Sequence, residues 1–346
     1  MSEKNLRIGS LFNSELTSQT FDAIIIGAGM SGLSLANLLS KQGKRVLVLE
    51  KHYTAGGFTH TYKRKGYEWD SGLHYIGDVN QDSHPLRQVF DFITDKNLHW
   101  ASMHKEYDQF IYPEGSYTFT AGLENFRENL LGHFPHEKNA IDSYLKILPT
   151  MAGVVTNLAM TKLMPNFLSQ SLKSWSHPDW FQRTTYDVLR SLTTNETLIH
   201  VLCGQWGNYG LPPKESCFGV HAIVANHYIE GANFPIGGAS EVARTIVGSI
   251  EQHNGKVIVA CGVSKVLVAR GSAYGVLLDN GHKLEARAIV SSAGVHSTYK
   301  NLFAAQDLPS EINTQVNTLL PSMSYLSLAL GIDSHSSILN HPGGNI

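Results

Sequence analysis

The stretch Phe21-Asp22-Ala23-Ile24-Ile25-Ile26-Gly27-Ala28-Gly29-Met30-Ser31-Gly32 decides the fold. An apolar run from Phe21 to Ile26 reads as a buried parallel strand, and a GxGxxG turn follows it at once. Gly27 permits the tight turn out of the strand, Gly29 lets backbone N–H groups approach a pyrophosphate, and Gly32 lets a helix pack closely on the sheet. Leu33, Ala36 and Leu39 share one helical face, Gly43 stands where a helix C′ glycine belongs, and Val46–Leu49 supplies the second strand. Glu50 then sits where an acid accepts the ribose hydroxyls, which favours a free 2′-OH over a 2′-phosphate. The pattern implies an adenine dinucleotide site, with the pyrophosphate at Gly27, Ala28, Gly29, Met30, Ser31 and Gly32, where the helix dipole favours negative charge.

Beyond Glu50 the chain reads Lys51-His52-Tyr53-Thr54-Ala55-Gly56-Gly57-Phe58-Thr59-His60-Thr61, and later Asp70-Ser71-Gly72-Leu73-His74-Tyr75-Ile76-Gly77. A second glycine pair brings another length of backbone to the ligand, as a cofactor with a ribityl chain and a flavin ring requires. FAD is therefore the expected cofactor, held also by Lys51, Gly56, Gly57 and Phe58. A plain nicotinamide-binding module would not need the Gly56-Gly57 pair.

The stretch from Phe21 to Gly77 resembles the flavoprotein superfamily of amine oxidases, phytoene desaturases and carotenoid isomerases. The blocks Glu50–Gly57, His60-Thr61 and Gly72–Gly77 are similar to one branch of it, the retinol saturases. So are Gly210-Leu211-Pro212-Pro213, His221–Ala232 and Pro235-Ile236-Gly237-Gly238-Ala239-Ser240-Glu241. The resemblance runs from about Phe21 to the end of the chain. It implies an α/β fold, with a Rossmann-like FAD-binding domain of the glutathione-reductase and amine-oxidase type and an inserted α+β substrate domain. It adds Gly72, Leu73, His74, Val263, Ala293 and Gly294 to the residues expected at the cofactor. It also implies reduction of a carbon–carbon double bond in a retinoid or related hydrophobic polyene, with NAD(P)H admitted as an electron donor. Carotenoid or phytoene desaturation, or cis–trans isomerisation, is the alternative on the same flavin. A non-enzyme alternative is a lipid-binding protein of the GDP-dissociation-inhibitor type; those lose the third glycine, whereas Gly32 and Glu50 are both present here.

The 346 residues divide, on this reading, into an N-terminal tail at 1–20, a cofactor domain at 21–81 and 235–300, and a substrate domain at 82–234 and 301–346. Residues 82–202 read as mostly helical, with Trp100, Trp175, Trp180 and Phe181 among the aromatics. Ser240–His253 reads as a helix, Lys256–Ala260 as a strand, and Tyr274–Asp279 with His282–Ala286 as a hairpin around Asn280-Gly281. Ala288–Val290 reads as a further strand, and Ser324–Ile332 as an alternating one. Relative to the resembling family a C-terminal part is expected to be missing.

A net charge of −2, without a dense basic run, excludes a general nucleic-acid partner. Cys203, Cys217 and Cys261 form no CxxC pair, and the 17 histidines form no HExxH or Cys/His cluster, so neither disulfide nor metal is expected. No secretory h-region and no transmembrane-length apolar run is visible, which suggests a cytoplasmic or membrane-peripheral protein. The apolar region Ile147–Leu168 reads as a buried helix, with a membrane-contacting face as the second reading for a lipid substrate. The oligomeric state is left open. For the proton of a double-bond reduction, His74, His227, Tyr228 and Glu230 are the candidates, each titratable or a donor within a family-like motif.

Overall fold

The computed structural model describes residues 7–163, 179–320 and 323–331. Two compact units emerge, one of residues 1–74, 82–101 and 234–321, the other of 75–81, 102–233 and 322–346.

The first unit is built on a seven-stranded sheet in the order Ser10–Leu11, Lys256–Val259, Val46–Leu49, Phe21–Ile26, Lys283–Ser291, Ser272–Leu278 and Val263–Ala269. Its first five strands are parallel, and the last two complete an antiparallel meander. Ile24, Ile25, Leu47 and Val48 are fully buried, as continuous apolar strands in a two-faced parallel sheet must be. Each contributes about 1.5–3 kcal/mol by leaving water. The helix Met30–Lys41 buries Gly32, Leu33 and Ala36, and it ends at Gln42 before Gly43, whose φ of +75° suits the C′ position. Buried Asn37 donates to the Ile93 carbonyl at 3.0 Å and to Ser249 Oγ at 2.8 Å, tying that helix to Pro85–Ile93 and Ser240–Gln252.

Several sequence expectations are corrected here. Residues 1–20 are not simply a tail: Ser10–Leu11 pairs in parallel with Ile258 and Val259, and Leu16 is buried. The segments expected as two strands, His282–Ala286 and Ala288–Val290, form one strand. Its first half pairs antiparallel with Gly275–Leu277, and its second half pairs in parallel with Phe21–Ile26. One strand thus carries the hairpin into the parallel sheet. Residues 82–101 lie in the first unit, where Asn37 holds them, and 301–320 stay there because Leu302 is buried and its carbonyl accepts from Val266 N. Residues 75–81 lie in the second unit.

The second unit combines the hairpin Glu106–Tyr112/Gly115–Thr120, absent from the mostly helical sequence reading, with five α-helices among the described residues. Within Lys138–Leu163 the buried Ile141, Tyr144, Leu148 and Met151 recur at helical spacing and face the unit's aromatic core. Pro149 stands inside this helix. Trp175, like the C-terminal part of Ile147–Leu168, lies outside the described residues. Residues 324–331 form no strand: Leu326, Leu328 and Leu330 are exposed, so the alternating pattern has no paired sheet to fold against among the described residues.

Candidate dinucleotide site

The parallel strands Phe21–Ile26, Val46–Leu49 and Lys283–Ser291 end on the same side, and a cavity of about 620 Å³ opens there. This is the position at which open α/β sheets bind ligands, and the volume falls within the range of small-molecule sites. Gly27, Gly29, Met30 and Ser31 line it from the first turn, Glu50 and Lys51 from the end of the second strand, and Gly56, Gly57 and Phe58 from the second glycine turn. Val263 and Ala293 complete the set of sequence-nominated residues on its wall. Ala28 is buried behind the turn, and Gly32 and Gly294 border an adjoining groove instead. Gly72, Leu73 and His74 do not line the cavity; Gly72 packs against Phe58, and His74 is exposed.

The two glycine turns dock on each other. Gly56 N donates to the Ala28 carbonyl at 2.8 Å, while Ala28 N donates to Glu50 Oε2 at 2.7 Å. The other carboxylate oxygen, Glu50 Oε1, accepts from His52 N at 2.8 Å. A side chain at Gly57, where φ is +57°, would press on Gly29 Cα at 3.0 Å, so bare backbone is required for this contact. A Cβ at Gly29 would meet no protein atom within 4 Å and would point into open space, leaving room for a ligand to approach the backbone. The helix that follows has no side-chain cap at Gly29. Its first N–H groups are therefore offered to an anion. A carboxylate beside one bare turn, with a second bare turn docked on it, fits the elongated shape and polar groups of an adenine dinucleotide.

Sequence reasoning missed Thr59, Ser292, Ser297, Asn301 and Leu302 on the cavity wall. Thr59 follows the second glycine pair, and Ser292 stands in the small-residue stretch Ser291-Ser292-Ala293-Gly294 that lets backbone approach a dinucleotide, but neither side chain is singled out by its motif; Asn301 and Leu302 fell beyond the expected domain boundary.

His74, the catalytic candidate in the first unit, does not line this cavity. His227, Tyr228 and Glu230 belong to the second unit, where the Tyr75–Asn80 block and the 227–233 block zip together. Gly77 N donates to His227 Nε2 at 2.9 Å, so Nδ1 carries the proton and donates to Asp78 at 2.9 Å. Both ring nitrogens are thereby occupied. Tyr228 stacks edge-on against Tyr75 at 4.6 Å, and burial beside Asp108 and Asp78 pushes its hydroxyl up to about 12. Glu230 is exposed, and its backbone carbonyl accepts from Asn80.

Deeper in this unit Asp108 accepts from Tyr75 at 2.8 and 2.9 Å and from Gln205 at 2.7 Å, yet burial dominates and raises its carboxyl to about 6. His221 bridges the Tyr144 and Tyr209 hydroxyls at 3.0 and 3.1 Å, and burial lowers its imidazole to about 4. Cys203 and Cys261 are buried thiols raised by burial to about 12 and about 11; all three cysteines are free. Among the described residues no group of three or more His, Cys, Asp or Glu side chains is placed to hold a metal, and no helix is long and apolar enough to cross a membrane.

The fold is that of a Rossmann-like domain, and residues 25–93 match the NAD(P)-binding Rossmann-like domain family. The chain is similar, at 32–34% identity over most of its length, to all-trans-retinol 13,14-reductases, and more distantly to prolycopene isomerases. It is 34% identical to the all-trans-retinol 13,14-reductase of Danio rerio, over 95% of this chain and 57% of that protein. It is also 31% identical to an inactive all-trans-retinol 13,14-reductase of Danio rerio, over 90% of this chain and 54% of that one. Identity to the chloroplastic prolycopene isomerase 2 of an Oncidium hybrid cultivar is 24%, over 95% and 59%. The chain thus spans between half and three-fifths of the length of these relatives.

Among solved structures, an oxidoreductase from Methanosarcina mazei superposes with a TM-score of 0.62 at 20% identity, covering 88% of this chain and 66% of that one. Putrescine oxidase bound to putrescine gives 0.60 at 17%, covering 86% and 63%. A Rab GDI from Plasmodium falciparum gives 0.51 at 12%, covering 81% and 67%. At such identities these likenesses establish the fold alone.

Proposed function

We propose that this chain carries the cofactor site of an FAD-dependent oxidoreductase that reduces a carbon–carbon double bond of a retinoid or related polyene. The observation that carries the reading is the docking of the Gly56-Gly57 turn onto the Ala28-Gly29 turn beside Glu50, which makes one continuous bare-backbone wall. When bound, the flavin supplies hydride transfer, and the protein supplies binding, orientation and electrostatics. Glu50 would hold the ribose hydroxyls while its bonds to backbone N–H groups keep the first turn in place. The amides after Gly29 would meet the pyrophosphate, Gly56 and Gly57 the ribityl portion, and Val263 and Lys51 the adenine. NAD(P)H is the proposed source of electrons.

Retinoid reduction is favoured over isomerisation by the higher identity to the retinol reductases than to the prolycopene isomerases. Gly32 and Glu50 favour a flavin enzyme over a lipid carrier of the GDI type, with which only the fold is shared. His227 is the least suited of the proton-donor candidates, because protonating Nε2 would break its bond from Gly77. The test is the absorbance spectrum of the purified chain with added FAD, followed by anaerobic incubation of the reduced form with all-trans-retinol. Flavin bands and a product heavier by two hydrogens support the reading. A spectrum with free-flavin character at all FAD concentrations overturns it.

A further inference from the structure

We infer that Ser292 is a positioning residue of the dinucleotide turn. Its hydroxyl donates to the Gly27 carbonyl at 3.0 Å and the Ile26 carbonyl at 3.1 Å, while its backbone N–H donates to Ile26 O at 2.8 Å. A Cβ at Gly27 would come to 2.7 Å from Ser292 Oγ, and a Cβ at Gly32 to 2.8 Å from it. At Gly32 the Gly27 carbonyl oxygen is closer still, so the Ser292 hydroxyl and the carbonyl it holds together fill the space that the two glycines leave open.

The consequence is directional. In a GxGxxG turn nothing but backbone faces the ligand, so the pitch of the amides after Gly29 depends on what holds the turn from behind. Glu50 holds Ala28 N, Gly56 holds Ala28 O, and Ser292 holds the carbonyl on the preceding residue. Ile26 O keeps the Ser292 N–H if the hydroxyl is removed, so the loss falls on Gly27 O. Ser292 also lines the cavity wall, at the end of the strand that changes from antiparallel to parallel pairing. A distant segment of the chain thus sets the geometry of the first turn.

The inference rests on the flavin reading for its ligand, and the experiment separates the two. FAD affinity is titrated by flavin fluorescence for the wild-type chain, Ser292→Ala and Ser292→Thr, with amide hydrogen exchange of residues 26–32 measured in the same ligand-free proteins. Loss of one hydrogen bond predicts affinity weakened about three- to tenfold in Ser292→Ala, faster exchange confined to the turn, and recovery in Ser292→Thr. Unchanged exchange at the turn in Ser292→Ala overturns the inference, and so does wild-type affinity in that variant. If the wild-type chain binds no FAD, the cofactor reading fails, and the exchange data still decide whether Ser292 holds the turn.

Discussion

Glu50 meets two backbone N–H groups in addition to any ligand, so its removal acts twice. Glu50→Ala abolishes the ribose acceptor and frees Ala28 N and His52 N, and we expect FAD affinity to fall at least tenfold in a fluorescence titration, since bonds to a charged group contribute about 1.5–3 kcal/mol each. Asp108 and His221 form an opposed pair of buried titrations. The folded-state carboxyl at about 6 lies above its unfolded 3.8, so the stability it contributes is complete below pH 3.8 and is lost as pH rises through 6. The folded imidazole at about 4 lies below 6.5, so its contribution is complete above pH 6.5 and is lost as pH falls through 4. Each is on the order of 3 kcal/mol, and they oppose each other across pH 4–6, where both windows overlap. Denaturation midpoints of Asp108→Asn should therefore fall on acidification more steeply than those of the parent. His221→Phe should instead lose stability as pH rises from 4 to 6, beyond a general loss of about 1–3 kcal/mol for the buried Tyr144 hydroxyl it leaves unpaired. A wild-type slope in either variant would remove that group from the balance. None of this was visible from residue types, because both shifts come from burial.

At the scale of elements, the strand–turn–helix–strand unit from Phe21 to Leu49 was readable residue by residue. Its apolar runs, helical face and glycines all act locally, and the strand bounds Phe21–Ile26 and Val46–Leu49 are those expected. The helix at Ser240 and the strand at Lys256 were legible for the same reason. What local pattern could not supply was pairing. The strand Lys283–Ser291 looked like two because its partners change halfway along, and Ser10–Leu11 is too short to announce itself. The meeting of Gly77 with His227 is likewise a pairing of distant segments, and it leaves no space for a side chain: a Cβ at Gly77 would collide with the His227 carbonyl. Gly77→Ala is expected to lower the thermal midpoint of the second unit while FAD affinity, set in the first, stays at the parent value. A melting curve and a flavin titration on the same preparation check both halves.

For the whole molecule, a site confined to the first unit predicts selective protection. Saturating FAD at 100 times its dissociation constant should stabilise the unit that binds it by about 2.7 kcal/mol, slowing hydrogen exchange in Phe21–Ile26 and Lys283–Ser291 but not in the hairpin Glu106–Thr120. Uniform protection would place ligand contacts in both units. The α/β class, the dinucleotide turn and most of the cavity wall were determined by the sequence itself, because glycine spacing and apolar periodicity express constraints that act within a few residues. Where the chain passes from one unit to the other, which strand closes the sheet, and that Ser292 backs the glycine turn were decided only in the tertiary structure. Those depend on segments up to 266 residues apart coming into hydrogen-bond contact, and no local pattern encodes such a meeting.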